Sequence, residues 1–138
     1  MMAKPKLLVD SNVLLDIFSD DPVWFDWSEG MLSRYATTHD LVINAVIYTE
    51  LSISFERIED LEASLRVASI SVLLIPKEAL FLAGKVFLRD RRRGGAKAST
   101  LPDFFIGAQA AVQELPLLTR DVKRYKTNYP TVELISPA

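Results

Sequence analysis

Apolar residues along this chain follow two rhythms. Leu7-Leu8-Val9, Leu41-Val42-Ile43, Ser71 to Ile75, Pro116-Leu117-Leu118 and Val132 to Ile135 are short, nearly unbroken runs of the kind that form buried strands. Between them, apolar positions recur every three or four residues, which predicts helices with one buried face. Val13, Leu14, Ile17 and Phe18 make the first such set, and Trp24, Trp27, Met31 and Tyr35 the second. Ala45 to Ile53 follows, then Ile58, Leu61 and Leu65, then Ala79, Leu80, Ala83, Val86 and Phe87, and finally Phe104 to Val112. Start signals agree with this division. Asp21-Pro22 predicts a helix running to about Tyr35, Asn44 is a cap, and Pro76 and Pro102 stand at or near first helical positions. Strands alternating with helices through short connections predict an α/β fold, a central parallel sheet flanked by helices.

Length and composition narrow the possibilities. At 138 residues and 49% hydrophobic, with no internal repeat or linker, residues 1–138 are expected to be one domain. The chain has no cysteine and one histidine, His39, in the polar connection before Leu41. Disulfide frameworks and thiolate or histidine-rich metal sites are thereby excluded, so a bound metal would be held by oxygen. The run Leu7 to Val9 is too short for a signal peptide, and no stretch approaches the ~20 apolar residues of a membrane span, so a cytoplasmic protein is expected. A net charge of -2 attracts no polyanion globally, but Arg89, Arg91, Arg92, Arg93 and Lys97 oppose only Asp90 in one segment, a local charge of +4. Gly94 and Gly95 make the part after Arg93 a flexible loop. Arg91, Arg92 and Arg93 therefore either complement a helix end or bind a phosphate backbone such as that of RNA. Trp24 and Trp27 are read as core, with a partner surface as the alternative.

Four acids occupy comparable places. Asp10 stands where the first run stops, and Asp121 follows the fourth; Glu50 lies in the second turn of a helix and Asp103 in the first turn of another. Taken singly, Asp10 reads first as a helix cap, and Asp103 reads as a partner of the helix dipole. Together they sit where a parallel sheet collects ligands, at the carboxyl ends of its strands. Two unit charges ~4 Å apart repel by about 4 kcal/mol at an effective dielectric of 20, so such a cluster calls for a cation. With oxygen donors alone, that cation is Mg²⁺ or Mn²⁺, which makes bound water a usable nucleophile and offsets charge on a breaking phosphodiester.

The contexts of these acids carry a resemblance. Asp10-Ser11-Asn12-Val13-Leu14-Leu15-Asp16, Tyr48-Thr49-Glu50-Leu51, Pro102-Asp103-Phe104-Phe105-Ile106-Gly107-Ala108 and Leu118-Thr119-Arg120-Asp121 resemble the four acidic motifs of PIN-domain nucleases, in order and spacing, from Leu7 to Asp121. The chain is similar in particular to VapC-type toxins of toxin-antitoxin pairs. The resemblance implies a Rossmann-like PIN fold, a Mg²⁺- or Mn²⁺-dependent endoribonuclease, a homodimer, and an antitoxin that blocks the site. It implies Asp10 and Asp103 as principal metal ligands, Glu50 and Asp121 completing the site, and Asn12 and Thr119 as polar support. Phe104-Phe105 is bulkier than the residues many relatives carry there, which bears on the substrate groove. Two rival readings are an aspartyl-phosphate phosphatase, whose Asp-x-Asp motif is broken here by Asn12, and a module that binds RNA or protein without cutting.

Overall fold

The structure, a computed structural model, describes residues 3–94 and 99–137, so Gly95 and Lys97 of the basic segment lie outside the described residues. Five strands are present among them: β1 (Lys6–Val9), β2 (Asp40–Ile43), β3 (Ser71–Val72), β4 (Leu117–Leu118) and β5 (Leu134–Ile135). They alternate with α1 (Ser11–Phe18), α2 (Phe25–Ala36), α3 (Ala45–Ser52), α4 (Ile58–Val67), α5 (Lys77–Arg92) and α6 (Leu101–Val112), and a 3-10 turn covers Val122–Arg124. No helix among the described residues is long and apolar enough to cross a membrane.

All strand pairs are parallel, in the order β3-β2-β1-β4-β5. β1 is central, and Leu7, Leu8 and Val9 are all fully buried, because helices cover both faces of the sheet. The chain leaves β1 toward β2 on one side and returns as β4 on the other. Strand order thus reverses between β1 and β4, and a crevice opens there at their carboxyl ends. Asp10 enters that crevice while its backbone N–H still donates to Leu118 O at 2.9 Å, which ties it to the sheet.

Two apolar clusters hold the layers. The larger joins the sheet to α1, α3, α4 and α6 through residues such as Leu14, Ile47, Leu61 and Ile106. The smaller lies between α5 and α6 and contains Ala79, Ala83, Val86, Phe104, Ala108 and Tyr129, with Phe87 edge-on to Phe104 at 5.3 Å. Here the Tyr129 ring packs on Gly107 so closely that a Cβ at that position would overlap it, while the Tyr129 hydroxyl donates to Phe104 O at 2.7 Å. The segment after the 3-10 turn is thereby laid against α6.

Three local expectations are corrected. Helix α2 starts at Phe25 rather than at Pro22, since Asp21 Oδ1 accepts from the N–H groups of Val23 (2.9 Å) and Trp24 (2.8 Å) and stabilises a turn ahead of the helix. Strand β3 is Ser71–Val72 only, because its neighbour β2 ends at Ile43, where Asn44 caps α3 by accepting from Ile47 N; Leu74 is 86% exposed. Ile58, grouped by spacing with buried Leu61 and Leu65, is 63% exposed at the first position of α4.

Candidate active site

Asp10 is 1% exposed, and both of its oxygens are held. Oδ1 accepts from Ser11 N at 2.8 Å, so Asp10 does cap α1. Oδ2 accepts from the Tyr125 hydroxyl at 2.7 Å, from Thr119 Oγ1 at 2.9 Å and from Asn12 Nδ2 at 3.5 Å. Asn12 also donates to Thr119 Oγ1 (3.2 Å) and accepts from Arg120 N (3.2 Å), lacing the start of α1 to the chain leaving β4. Asn12 and Thr119 thus stand beside Asp10. Burial raises the Asp10 carboxyl above its ordinary value, hydrogen bonds from Tyr125, Thr119 and Ser11 pull it partly back, and the charge of Asp103 adds to the rise.

Asp103, also 1% exposed, faces two ways. Its Oδ2 accepts from Thr100 N (2.6 Å) and Thr100 Oγ1 (3.0 Å), the acidic half of a capping box at the start of α6. Its Oδ1 lies 3.5 Å from the Tyr125 hydroxyl and 3.9 Å from Arg124 Nη1. Tyr125, fully buried, therefore bridges Asp10 and Asp103. Burial holds the Asp103 carboxyl above its ordinary value against the hydrogen bonds of Thr100 and the charge of Arg124, and Asp121 pushes it further up. Burial, then the charges of Asp10 and Asp103, hold the Tyr125 phenol well above its ordinary value, so it is a fixed donor.

Glu50 reaches the same place from α3, its Oε1 accepting from Ser11 Oγ at 3.0 Å. Its carboxyl is raised by burial and by Asp10 and Asp103, against the Ser11 hydrogen bond and the charge of Arg124. Asp121 lies at the rim, with its Oδ2 2.9 Å from Arg124 Nε. The structure therefore brings all four acids to the crevice between β1 and β4. Arg91, Arg92 and Arg93 end α5. Arg91 lies 5.2 Å over the Phe87 ring, and Arg93 donates to Asn128 Oδ1 at 2.9 Å, which attaches the basic run to the segment carrying Arg124 and Tyr125.

Spacing did not reveal Ser11, Thr100, Arg124 and Tyr125 as parts of this site. Arg124 and Tyr125 follow Asp121 by three and four residues in a basic stretch, and the one available cue was an aromatic there without an apolar partner pattern. A second unread pair braces the site from behind. Buried Asp16 accepts from Arg120 Nε (2.7 Å) and Nη2 (3.0 Å) and from Ser28 Oγ (2.6 Å), and the Arg120 guanidinium lies 4.9 Å over the Trp24 ring. Trp27, Met31 and Tyr35 pack on the larger core.

The donor set at the crevice is oxygen throughout, as a hard cation requires. Among the described residues, no three Asp, Glu, His or Cys side chains stand close enough together to grip an ion directly; the Tyr125 hydroxyl and the Arg124 guanidinium join the acids instead. Such a set fits Mg²⁺ or Mn²⁺ bound by one or two carboxylates and several waters, the usual habit of Mg²⁺. A hollow of about 530 Å³, lined in part by Lys4, His39 and Asp40, lies at the opposite ends of the strands and lacks this chemistry. A shallower one of about 230 Å³, between Val46, Glu50, Leu101 and Phe105, adjoins the acids.

A parallel sheet with acids gathered at its switch point is the arrangement of a known class. Residues 7–128 match the PIN domain family, and the chain belongs to it. In structure it is similar to VapBC2 from Rickettsia felis, solved bound to a DNA fragment from their promoter, with a TM-score of 0.75 and 16% identity over 96% of this chain and 99% of that one. It is also similar to VapBC-1 from nontypeable Haemophilus influenzae (TM-score 0.72, 16% identity, 95% and 97% covered). A third likeness is to FitAcB from Neisseria gonorrhoeae (TM-score 0.67, 17% identity, 95% and 97% covered). At these identities the likeness is one of fold. No curated protein matches the chain in sequence.

Proposed function

We propose that this chain, read as one PIN domain over residues 1–138, is a Mg²⁺- or Mn²⁺-dependent endoribonuclease and the toxin of a toxin-antitoxin pair. The observation that carries the reading is the pair Asp10 and Asp103, both buried, bridged by one hydroxyl and held above the ordinary carboxyl range at the sheet's switch point. Family membership supports a nuclease, and the VapBC likenesses, together with a structure described as a toxin-antitoxin complex from Klebsiella pneumoniae, support the pairing with an antitoxin.

Asp10 and Asp103 would be the principal ligands, with Glu50 and Asp121 completing the site. A divalent cation bound there supplies a water of lowered pKa and offsets charge on the phosphodiester. Tyr125 fixes the spacing of Asp10 and Asp103, while Asn12 and Thr119 orient Asp10 through its Oδ2. Glu50 uses Oε1 for Ser11, and its Oε2 would take the proton of an attacking water. Arg91, Arg92 and Arg93, at the end of α5, would add positive charge for RNA. Exposed Val67, Leu74 and Phe81 supply apolar area for a homodimer or antitoxin partner.

Single-stranded RNA incubated with the protein in Mg²⁺ or Mn²⁺ should be cleaved, and EDTA should stop it. Asp103→Asn should remove cleavage while the protein remains folded. Full cleavage in EDTA, or an active Asp103→Asn, overturns the reading.

A further inference from the structure

Two arginines follow β4 four positions apart and are held in opposite ways. Arg120 closes its fork on buried Asp16 through two hydrogen bonds, Nε at 2.7 Å and Nη2 at 3.0 Å. Arg124 stands between two acids, Nε 2.9 Å from Asp121 Oδ2 and Nη1 3.9 Å from Asp103 Oδ1. Both contacts are ion pairs, and the shorter one is to Asp121, itself 38% exposed at the rim. Its side chain is 33% exposed, at the mouth of the crevice. Its backbone is nevertheless fixed: Arg124 O accepts from Ser99 Oγ at 2.9 Å, and the next residue is Tyr125, locked inside by its hydrogen bond to Asp10.

A purely structural counter-ion uses its planar fork, as Arg120 does. A guanidinium pinned through its backbone, one-third exposed and without a bidentate partner carboxylate, is set up for an acceptor that arrives from solvent. That acceptor must be anionic and must present paired oxygens, the geometry a phosphate offers to arginine. Four carboxylates alone would repel such a group. Arg124 lies within electrostatic reach of all four.

We propose that Arg124 is a catalytic residue whose guanidinium takes the non-bridging oxygens of the scissile phosphodiester; this rests on the nuclease reading above. In the hydrolysis, the oxygen of water bonds to phosphorus as a bond to a ribose oxygen breaks, the water gives up a proton, and the departing oxygen gains one. Negative charge gathers on the non-bridging oxygens meanwhile, and donors aimed at that charge stabilise the transition state.

The test compares wild type with Arg124→Ala, Arg124→Gln and Arg124→Lys, using a single-stranded RNA oligonucleotide at saturating Mn²⁺, titration of Mn²⁺ alone into RNA-free protein, and melting curves. Arg124→Ala should lower kcat about 100-fold while Mn²⁺ binds as well as to wild type or more tightly, because a competing cation has gone. Arg124→Lys, which keeps the charge without the fork, should turn over about tenfold faster than Arg124→Gln. That pair decides the matter if Arg124→Ala fails to fold. An Arg124→Ala within about threefold of wild-type kcat, equal rates for Lys and Gln, or a loss of Mn²⁺ binding that parallels the loss of turnover would overturn the proposal. A wild type that cleaves no phosphodiester overturns the nuclease reading and this one with it, whereas an active wild type matched by its variants overturns this one alone.

Discussion

Gly107 is the position where structure reverses the ordinary expectation for a substitution. In the middle of α6, glycine to alanine should stabilise a helix by about 1 kcal/mol. Here the new Cβ would overlap Cδ2 and Cε2 of Tyr129, a ring 4% exposed whose hydroxyl is tied to Phe104 O at 2.7 Å. Overpacking of this kind costs roughly 1 to 3 kcal/mol, and releasing the hydroxyl about 1 kcal/mol more. The sum outweighs the gain in helix propensity, so Gly107→Ala should destabilise by about 1 to 3 kcal/mol, or roughly 4 to 12 °C in melting temperature for a domain of this size. Gly84→Ala in α5 is the control: nothing lies within 4 Å of its Cβ, and it should gain up to about 1 kcal/mol. The ring can be removed to isolate the clash, so in a Tyr129→Ala background Gly107→Ala should become neutral or stabilising. Displacing Tyr129 also lifts the segment carrying Arg124 and Tyr125, and cleavage should fall more than stability alone explains. Melting curves of wild type, the three single variants and the double variant decide the matter; a Gly107→Ala that melts higher than wild type refutes the packing argument.

Other perturbations test the site directly. Arg120→Ala strands the buried Asp16 carboxylate with only the Ser28 hydroxyl and should cost about 3 kcal/mol, the low end for a broken buried pair since the Arg120 side chain is 27% exposed; urea unfolding that shows no loss sinks the bracing role. Asp103, whose carboxyl is raised in the folded protein, holds its proton more tightly there than when unfolded, so its contribution is greatest below the ordinary value of 3.8 and is lost as pH rises through the raised value. In EDTA, Asp103→Asn should therefore gain on wild type as pH rises above 3.8 and through the raised value, and a gap that narrows or stays constant contradicts the repulsion. Saturating Mn²⁺ at about 100 times its dissociation constant should stabilise wild type by roughly 2.7 kcal/mol, against little for Asp103→Asn; equal shifts would place the ion elsewhere. Replacing Arg91, Arg92 and Arg93 together by Ala should flatten the salt dependence of RNA binding by about 2 in the logarithmic slope, and an unchanged slope would leave the run as a solvated helix end.

What could be read in the sequence was the local part of this protein. Runs ending at Asp10 and Asp121, the Asn44 cap and the first-turn place of Asp103 involve partners within a few residues, so spacing alone exposes them. The alternation of runs and stripes likewise carried the parallel α/β layering, since burial on one face or two leaves its period in the chain. Boundaries failed where a neighbour decided them: β3 stops early because β2 stops, and α2 starts late because Asp21 serves a turn instead. The site's wiring belongs to the tertiary structure. Asp10 and Tyr125 are 115 positions apart, and they meet because the sheet places β4 beside β1 rather than beyond β3. The same topology gives Arg120 a buried carboxylate and leaves Arg124 facing the crevice, although the two arginines read alike in sequence. Gly107 is the sharpest instance: as a helix residue it is a weakness, and only the Tyr129 ring lying against it supplies the reason that the position has no room for a side chain.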